Sequence, residues 1–344
     1  MTHKESGAIA ASPSDTAMPR AWPLPPVTQT DHGDPRRVGL ELEFTGLSVA
    51  ETAALLVERF DAVIDVRSRH DVAAEVPALG AAEVALDTRH AKHLSDDSEL
   101  AAAARDMFGD AAALVVPTEI TAPPLAIGEA GMTDEIVEAL RAAGARGTRA
   151  APTNAFAMQL NVEAASTAPT AVLSVLRSFI LLEDWLRAEI QVDVARRVLG
   201  FEHRFPADYR RKIFDPRYAP SAGGLIDDYL EANPTRNRAL DLLPILAEID
   251  EDRVRAALPD EKIKPRPAYH YRLPDCRIEE VDWSPRLDWE RWLVVERLAA
   301  DEARLHEAMR EQRALLDGPV GANVLSRAPV DASIALGRSL WDVP

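Results

Sequence analysis

The chain has 344 residues, 47% hydrophobic and 28% charged, enough for one sizeable globular domain or two small ones. Its formal charge of -17 disfavours nucleic acid or an anionic membrane as the main partner, although a local basic site could still bind a phosphorylated ligand. The lone cysteine, Cys276, cannot form an internal disulfide and fits a reducing cytoplasm. No basic start and apolar run of a signal peptide stands near the first residue, and Glu183 and Asp184 break the most apolar stretch, so no membrane span is expected.

Residues 1–35 are rich in Ala, Ser, Thr and Pro and read as a disordered leader, in which Trp22 and Leu24 could dock on the domain or on a partner. The domain proper is expected over 36–316. It opens with RVGLELEFT from Arg37 to Thr45, where alternation puts Val38, Leu40, Leu42 and Phe44 on one face of a strand. Glu41 and Glu43 share the other face and could take a hard divalent cation. Alternation alone equally describes a strand whose charges merely face water.

Ser48 and Glu51 have capping-box spacing, and Ala53, Leu56, Val57 and Phe60 recur at helical spacing, so a helix is expected to cover the Leu40, Leu42 and Phe44 face. Val63 to Val66 and Ala82 to Arg89 read as strands, the second with Glu83 and Asp87 on one face. Ser98 to Phe108 reads as a helix. Ala112 to Ile120 reads as a strand that carries Glu119 and is stopped by Pro123 and Pro124. A helix from Thr133 with a stop at Gly144 leads to a basic loop holding Arg146 and Arg149, which suits phosphate contact or plain solvation.

The strand from Asn154 to Glu163 sets Phe156, Met158, Leu160 and Val162 against Gln159, Asn161 and Glu163, and Pro169 opens a long apolar helix reaching Ile190. Residues 190–240 read as an Arg-rich insertion or lid in which Arg196, Arg197, Arg204, Arg210, Arg211, Lys212 and Arg217 invert the local charge, and Arg236 and Arg238 follow. They suit a phosphate or carboxylate clamp, or a solvated loop. The strand expected over Lys264 to Cys276 puts Ala268, His270 and Arg272 opposite Tyr269, Tyr271 and Leu273. Trp289 to Leu316 reads as one long helix, and 317–344 as a tail that packs or dangles.

The polar residues of these strands share a chemistry that a random solvent face would not: Glu41, Glu43, Glu83, Asp87, Glu119, Gln159, Asn161, Glu163, His270 and Arg272 include no lysine. The expected architecture is α+β, a curved and mainly antiparallel sheet with helices on its apolar side and a carboxylate-lined side that is open and binds magnesium through oxygen.

From about Pro23 to Asp301 the chain resembles the amidoligases of the carboxylate–amine ligase superfamily, which includes glutamine synthetase and glutamate–cysteine ligase. The resemblance rests on GLELEF at Gly39, PTEITAPPL at Pro117, FAMQLNVE at Phe156, and the blocks NPTRNRALDLLP and RPAYHYRLPDCRI, in that order. It implies a sheet of the glutamine synthetase catalytic-domain type and ATP-dependent formation of an amide or peptide-like bond between a small-molecule or peptide carboxylate and an amine. By that resemblance Glu41, Glu43 and Glu119 are metal carboxylates, joined by Gln159 and His270, while Arg266 and Arg272 contact the transferred phosphate. Asn161, Arg146 and Arg149 would face the nucleotide, and Arg210, Arg211, Arg236 and Arg238 the substrates. Two positions depart from the family pattern. Gln159 and Asn161 stand where its metal-binding histidine strand is expected, and His270-Tyr271-Arg272 replaces its acidic-x-Arg pattern. A relative that binds nucleotide or peptide without turnover is the alternative, and a metal-dependent hydrolase a more distant one.

Overall fold

The computed structural model describes residues 21–87, 116–151, 154–193, 196, 203–261, 263–318 and 327–342. The helix expected over Ser98 to Phe108, the start of the strand expected from Ala112, Arg197 and the first 20 residues of the leader lie outside the described residues.

Alternation in the founding stretch forms β1 (Arg37–Phe44), which sits inside an eight-stranded sheet whose pairings are all antiparallel. The other strands are β2 (Val63–Ser68), β3 (Asp71–Val76), β4 (Gly80–Leu86), β5 (Thr118–Ala126), β6 (Met158–Glu163), β7 (Leu240–Asp241) and β8 (Ala268–Tyr271). Their order in space is β2-β3-β4-β5-β1-β6-β8-β7, an open sheet flanked among the described residues by ten helices. β5 overrides the proline stop. Val38 pairs with Leu125 and Leu40 with Ala122, so Pro123 and Pro124 fall at a bulge, and β4 has ended its pairing by Thr121. A proline there removes no ladder hydrogen bond from a central strand.

The apolar face is covered in two parts. α1 (Val49–Phe60) begins with the expected capping box on Ser48 and Glu51, worth about 1 kcal/mol. It packs on β2, β3 and β4, whereas Leu40 and Leu42 meet Ile136 and Val137 of α2 (Met132–Ala142). α3 (Pro169–Ile190) is buried on nearly all sides, with Leu176, Phe179, Ile180, Leu181, Leu182 and Trp185 fully enclosed. Its Phe179 meets Tyr271 of β8 edge-on at 5.9 Å.

α4 (Ala207–Ile213), α5 (Ala222–Ala232), α6 (Leu243–Ile249) and α7 (Glu251–Ala257) follow α3 in the chain. The helix expected from Trp289 to Leu316 is two, α8 (Pro285–Ala300) and α9 (Glu302–Leu316). Asp301, at φ -101 and ψ 86, leaves helical geometry and caps α9 by accepting from the Arg304 N–H. The C-terminal segment packs: α10 (Ala328–Trp341) lies on α3, with Gly337 directly against the Trp185 ring, where a Cβ would stand 2.0 Å from the indole.

The leader docks from residue 21. Trp22 is buried, stacks on Trp289 at 5.8 Å and donates its indole N–H to Asp134 at 2.8 Å, while Leu24 stays exposed. Arg36, also buried, makes a bidentate pair with Glu296 of α8 at 2.7 Å and donates twice to the Glu163 carbonyl. Two such charge-assisted contacts fix the start of β1 against β6 and the helical layer.

Candidate active site

Directly paired residues of an antiparallel sheet point to the same side, so register alone decides which polar groups share a face. Glu41 stands opposite Thr121 on β5 and Gln159 on β6; Glu43 stands opposite Glu119. Gly39 pairs with Asn161, Asn161 with His270, and His270 with Asp241 of β7. Glu83 pairs with Thr121 and Ala85 with Glu119. One continuous polar row therefore crosses β4, β5, β1, β6, β8 and β7.

The middle of this row is buried, contrary to the open face expected. Glu41, Glu43, Gln159, Asn161, His270 and Asp241 are each less than a tenth exposed. Glu83 lies at the outer end, half-exposed and paired with Arg67 at 2.6 Å.

Burial requires partners, and most are visible. Asn161 Nδ2 donates to Glu41 Oε1 at 2.9 Å, and the Ala157 N–H donates to Glu43 Oε2 at 2.8 Å. The Asn161 bond orients its carboxamide, since a carboxylate only accepts. Asn161 Oδ1 and Gln159 Oε1 are then left as buried oxygens without a hydrogen-bond partner. Such acceptors are costly unless a cation or donor meets them.

The other end of the row is cationic. Asp241, wholly buried, accepts from Arg236 Nε at 3.2 Å and from the Leu243 N–H at 3.0 Å. Burial pushes its carboxyl up from the usual range, against the pull of Arg236 and Arg272. Arg266 Nη2 donates to His270 Nε2 at 2.8 Å. Burial drives the His270 imidazole down to about 3; Glu41 opposes this, and Arg266, Arg236 and Arg272 reinforce it. His270 is therefore neutral. Asp241 is the residue the sequence reading missed: its strand is two residues long, too short for any periodicity to show.

Arg146 joins the row at its acidic end. Gly46, at φ +85, turns the chain so closely past the Gly144 carbonyl that a Cβ would stand 2.4 Å from it. This turn lets Thr45 and Arg146 form an isolated antiparallel bridge, which continues the Glu41 and Glu43 alternation. The Arg146 side chain is exposed.

The remaining predicted residues are held elsewhere. Arg149 donates to Glu280 and Gln191. Arg210 reaches the Ile180 carbonyl and lies 3.9 Å from Asp184 on α3, and Arg211 contacts Asp208 and the end of α9. Arg238 donates to the Arg204 and Ala232 carbonyls and lies over the Phe205 ring. Arg196, at the start of the supposed lid, is buried and donates to Asp275 and to the Arg272, Leu273 and Pro274 carbonyls. Among the described residues of the basic stretch, Arg236 has a contact in the row, with Asp241.

The hard oxygen donors of Glu41, Glu43, Glu119 and Gln159 suit magnesium. They share a face, yet among the described residues no group of three or more His, Cys, Asp or Glu side chains is arranged to hold a metal ion. A cavity of about 740 Å³ opens away from the row, beside the start of α3 and the end of α8. No helix among the described residues is long and apolar enough to cross a membrane.

An open antiparallel sheet with one apolar face under helices and one buried polar row on the other defines a mixed α and β protein. The family model described as putative amidoligase enzyme matches residues 34–294, more than half of the chain and every strand of the row, and the chain belongs to that family. Membership supports a ligase acting on small molecules. No curated protein and no solved structure matches the chain.

Proposed function

We propose that the chain is an ATP- and magnesium-dependent carboxylate–amine ligase that forms an amide or peptide-like bond through an acyl phosphate. The observation that carries this reading is the order of charge along one face: carboxylates from β1 and β5, neutral carboxamides on β6, then Arg236, Arg266 and Arg272 around β8. Phosphoryl transfer needs positioning and charge stabilisation more than covalent chemistry from the protein, and this order supplies both.

Glu41, Glu43, Glu119 and the Gln159 carboxamide oxygen would hold magnesium, which when bound neutralises phosphate charge. Arg266 and Arg272 meet the oxygens of the transferred phosphoryl group. Arg146 takes a phosphate from the acidic end of the row, and Asn161 holds Glu41 in place. The substrate carboxylate attacks the terminal phosphorus and ADP leaves; the amine then attacks the acyl carbon and phosphate leaves. An acyl phosphate held against the buried middle of the row would be partly shielded from water. Arg236, bonded to Asp241, would contact the acid substrate.

A second reading, a relative that binds nucleotide without turnover, is favoured by two observations. Among the described residues no three acids, histidines or cysteines are arranged to hold a metal ion, and Gln159 and Asn161 occupy the strand where the family's histidines are expected. Sustained ADP release separates the two: a ligase turns over repeatedly when an acid and an amine are both present, and a binder releases none.

A further inference from the structure

We propose that His270 is a positioning residue for Arg266 rather than a metal ligand, its Nε2 lone pair holding the guanidinium that meets the phosphate. The inference rests on the ligase reading for the identity of the phosphate, but its structural half stands on geometry alone. A guanidinium has donors and no acceptor, so the 2.8 Å contact between Arg266 Nη2 and His270 Nε2 makes Nε2 the acceptor. In a neutral imidazole the proton then resides on Nδ1. Nδ1, buried and without a hydrogen-bond partner, lies 3.9 Å from Asp241 Oδ2, an oxygen of a carboxylate that Arg236 and the Leu243 N–H already fix. With Nε2 engaged and Nδ1 protonated, no lone pair is left for a cation.

The choice of an imidazole has a physical consequence. A carboxylate in the same place would hold Arg266 more strongly but would cancel its charge. A buried neutral histidine, 2% exposed, holds the guanidinium by one N–H and leaves its full positive charge for a ligand. The depressed basicity of His270 keeps it neutral at physiological pH.

The backbone on which Arg266 stands is equally restrained. Pro265 and Pro267 flank it, and its N–H donates to the Pro244 carbonyl at 3.1 Å. Its side chain is exposed. A rigid, exposed cation with a neutral anchor suits the oxygens of a polyphosphate.

Two measurements on the full chain test this. In nitrogen-15 spectra of the histidine side chains, with the His270 signals assigned by their loss in His270→Gln, the Nδ1–H tautomer should be present and unmoved by Mg²⁺ alone. An Nε2–H tautomer, or an Nε2 signal shifted by Mg²⁺, overturns the proposal. In equilibrium binding of MgATP, Arg266→Met and His270→Leu should each weaken affinity by about tenfold, and the double variant by no more than either alone. His270→Gln, whose amide oxygen can still accept from Arg266, should restore most of the loss. Independent, multiplying losses refute the coupling. If wild type does not bind MgATP, the ligase reading fails while the tautomer still decides the role of His270, and the same spectrum decides it should His270→Leu not fold.

Discussion

Replacing Glu43 with Gln separates a carboxylate that serves a ligand from one that serves the fold. Glu43 stands directly opposite Glu119 across β1 and β5 and is buried, while Glu119 is half-buried. Two charges about 5 Å apart repel by about 3 kcal/mol at an effective dielectric of about 20. Partial exposure of Glu119 reduces this to about 1 to 2 kcal/mol. Gln at position 43 keeps an oxygen for the Ala157 N–H, so the variant loses no backbone contact there. Its apo stability should therefore be unchanged or higher by up to about 1.5 kcal/mol in urea unfolding. MgATP at a hundredfold excess over its dissociation constant should stabilise wild type by about 2.7 kcal/mol and the variant much less. Turnover should fall by about a hundredfold, the scale for losing one charge-stabilising group. Leu42→Ala on the opposite face should do the reverse. The side chain is fully buried against α2, so truncation should cost about 2 to 5 kcal/mol and leave MgATP affinity of the folded protein intact. A Glu43→Gln protein that melts early and keeps the full MgATP response would refute the reasoning.

Three further outcomes follow from named contacts. Trp22→Ala should cost about 3 to 5 kcal/mol in denaturant unfolding, because the ring is buried on Trp289 and bonded to Asp134; a loss below about 1 kcal/mol would mean the leader is not part of the fold. Arg196→Ala should cost about 3 to 5 kcal/mol by leaving the buried Asp275 carboxylate without its cation, and an unaffected melting curve would contradict that burial. Cys276, fully buried with its thiol pushed well above the usual range, should resist a thiol reagent in native protein and react once denatured.

Where a residue pattern carries its own period, the sequence predicted structure well. The two faces of Arg37–Phe44, the capping box at Ser48, and α3 from Pro169 to Ile190 were legible because alternation, caps and helix-breaking residues are local. What depended on neighbours was not. β3 escaped because the alternation of Val72, Ala74 and Val76 includes a small alanine and follows no turn signal of its own. Pro123 and Pro124 mark a stop only if no bulge receives them, which β1 decides. Asp301 breaks a helix pattern whose apolar spacing runs on unbroken.

For the candidate site, the face of each glutamate could be read from sequence, but its burial could not. The basic stretch from Arg196 to Arg238 looked like a clamp because composition reveals charge and not partners. Most of the described arginines there are committed to backbone carbonyls, to Asp184 on α3 and to Asp275.

The central claim is that this face drives an ATP-dependent condensation, and ADP release with magnesium tests it most directly. A panel of amino acids, short peptides and polyamines should contain pairs of acid and amine that release ADP together, with little from either partner alone, and the release should fall by about a hundredfold in Glu43→Gln. ADP release that ignores both partners, or none across the panel from protein that binds MgATP, would contradict the ligase.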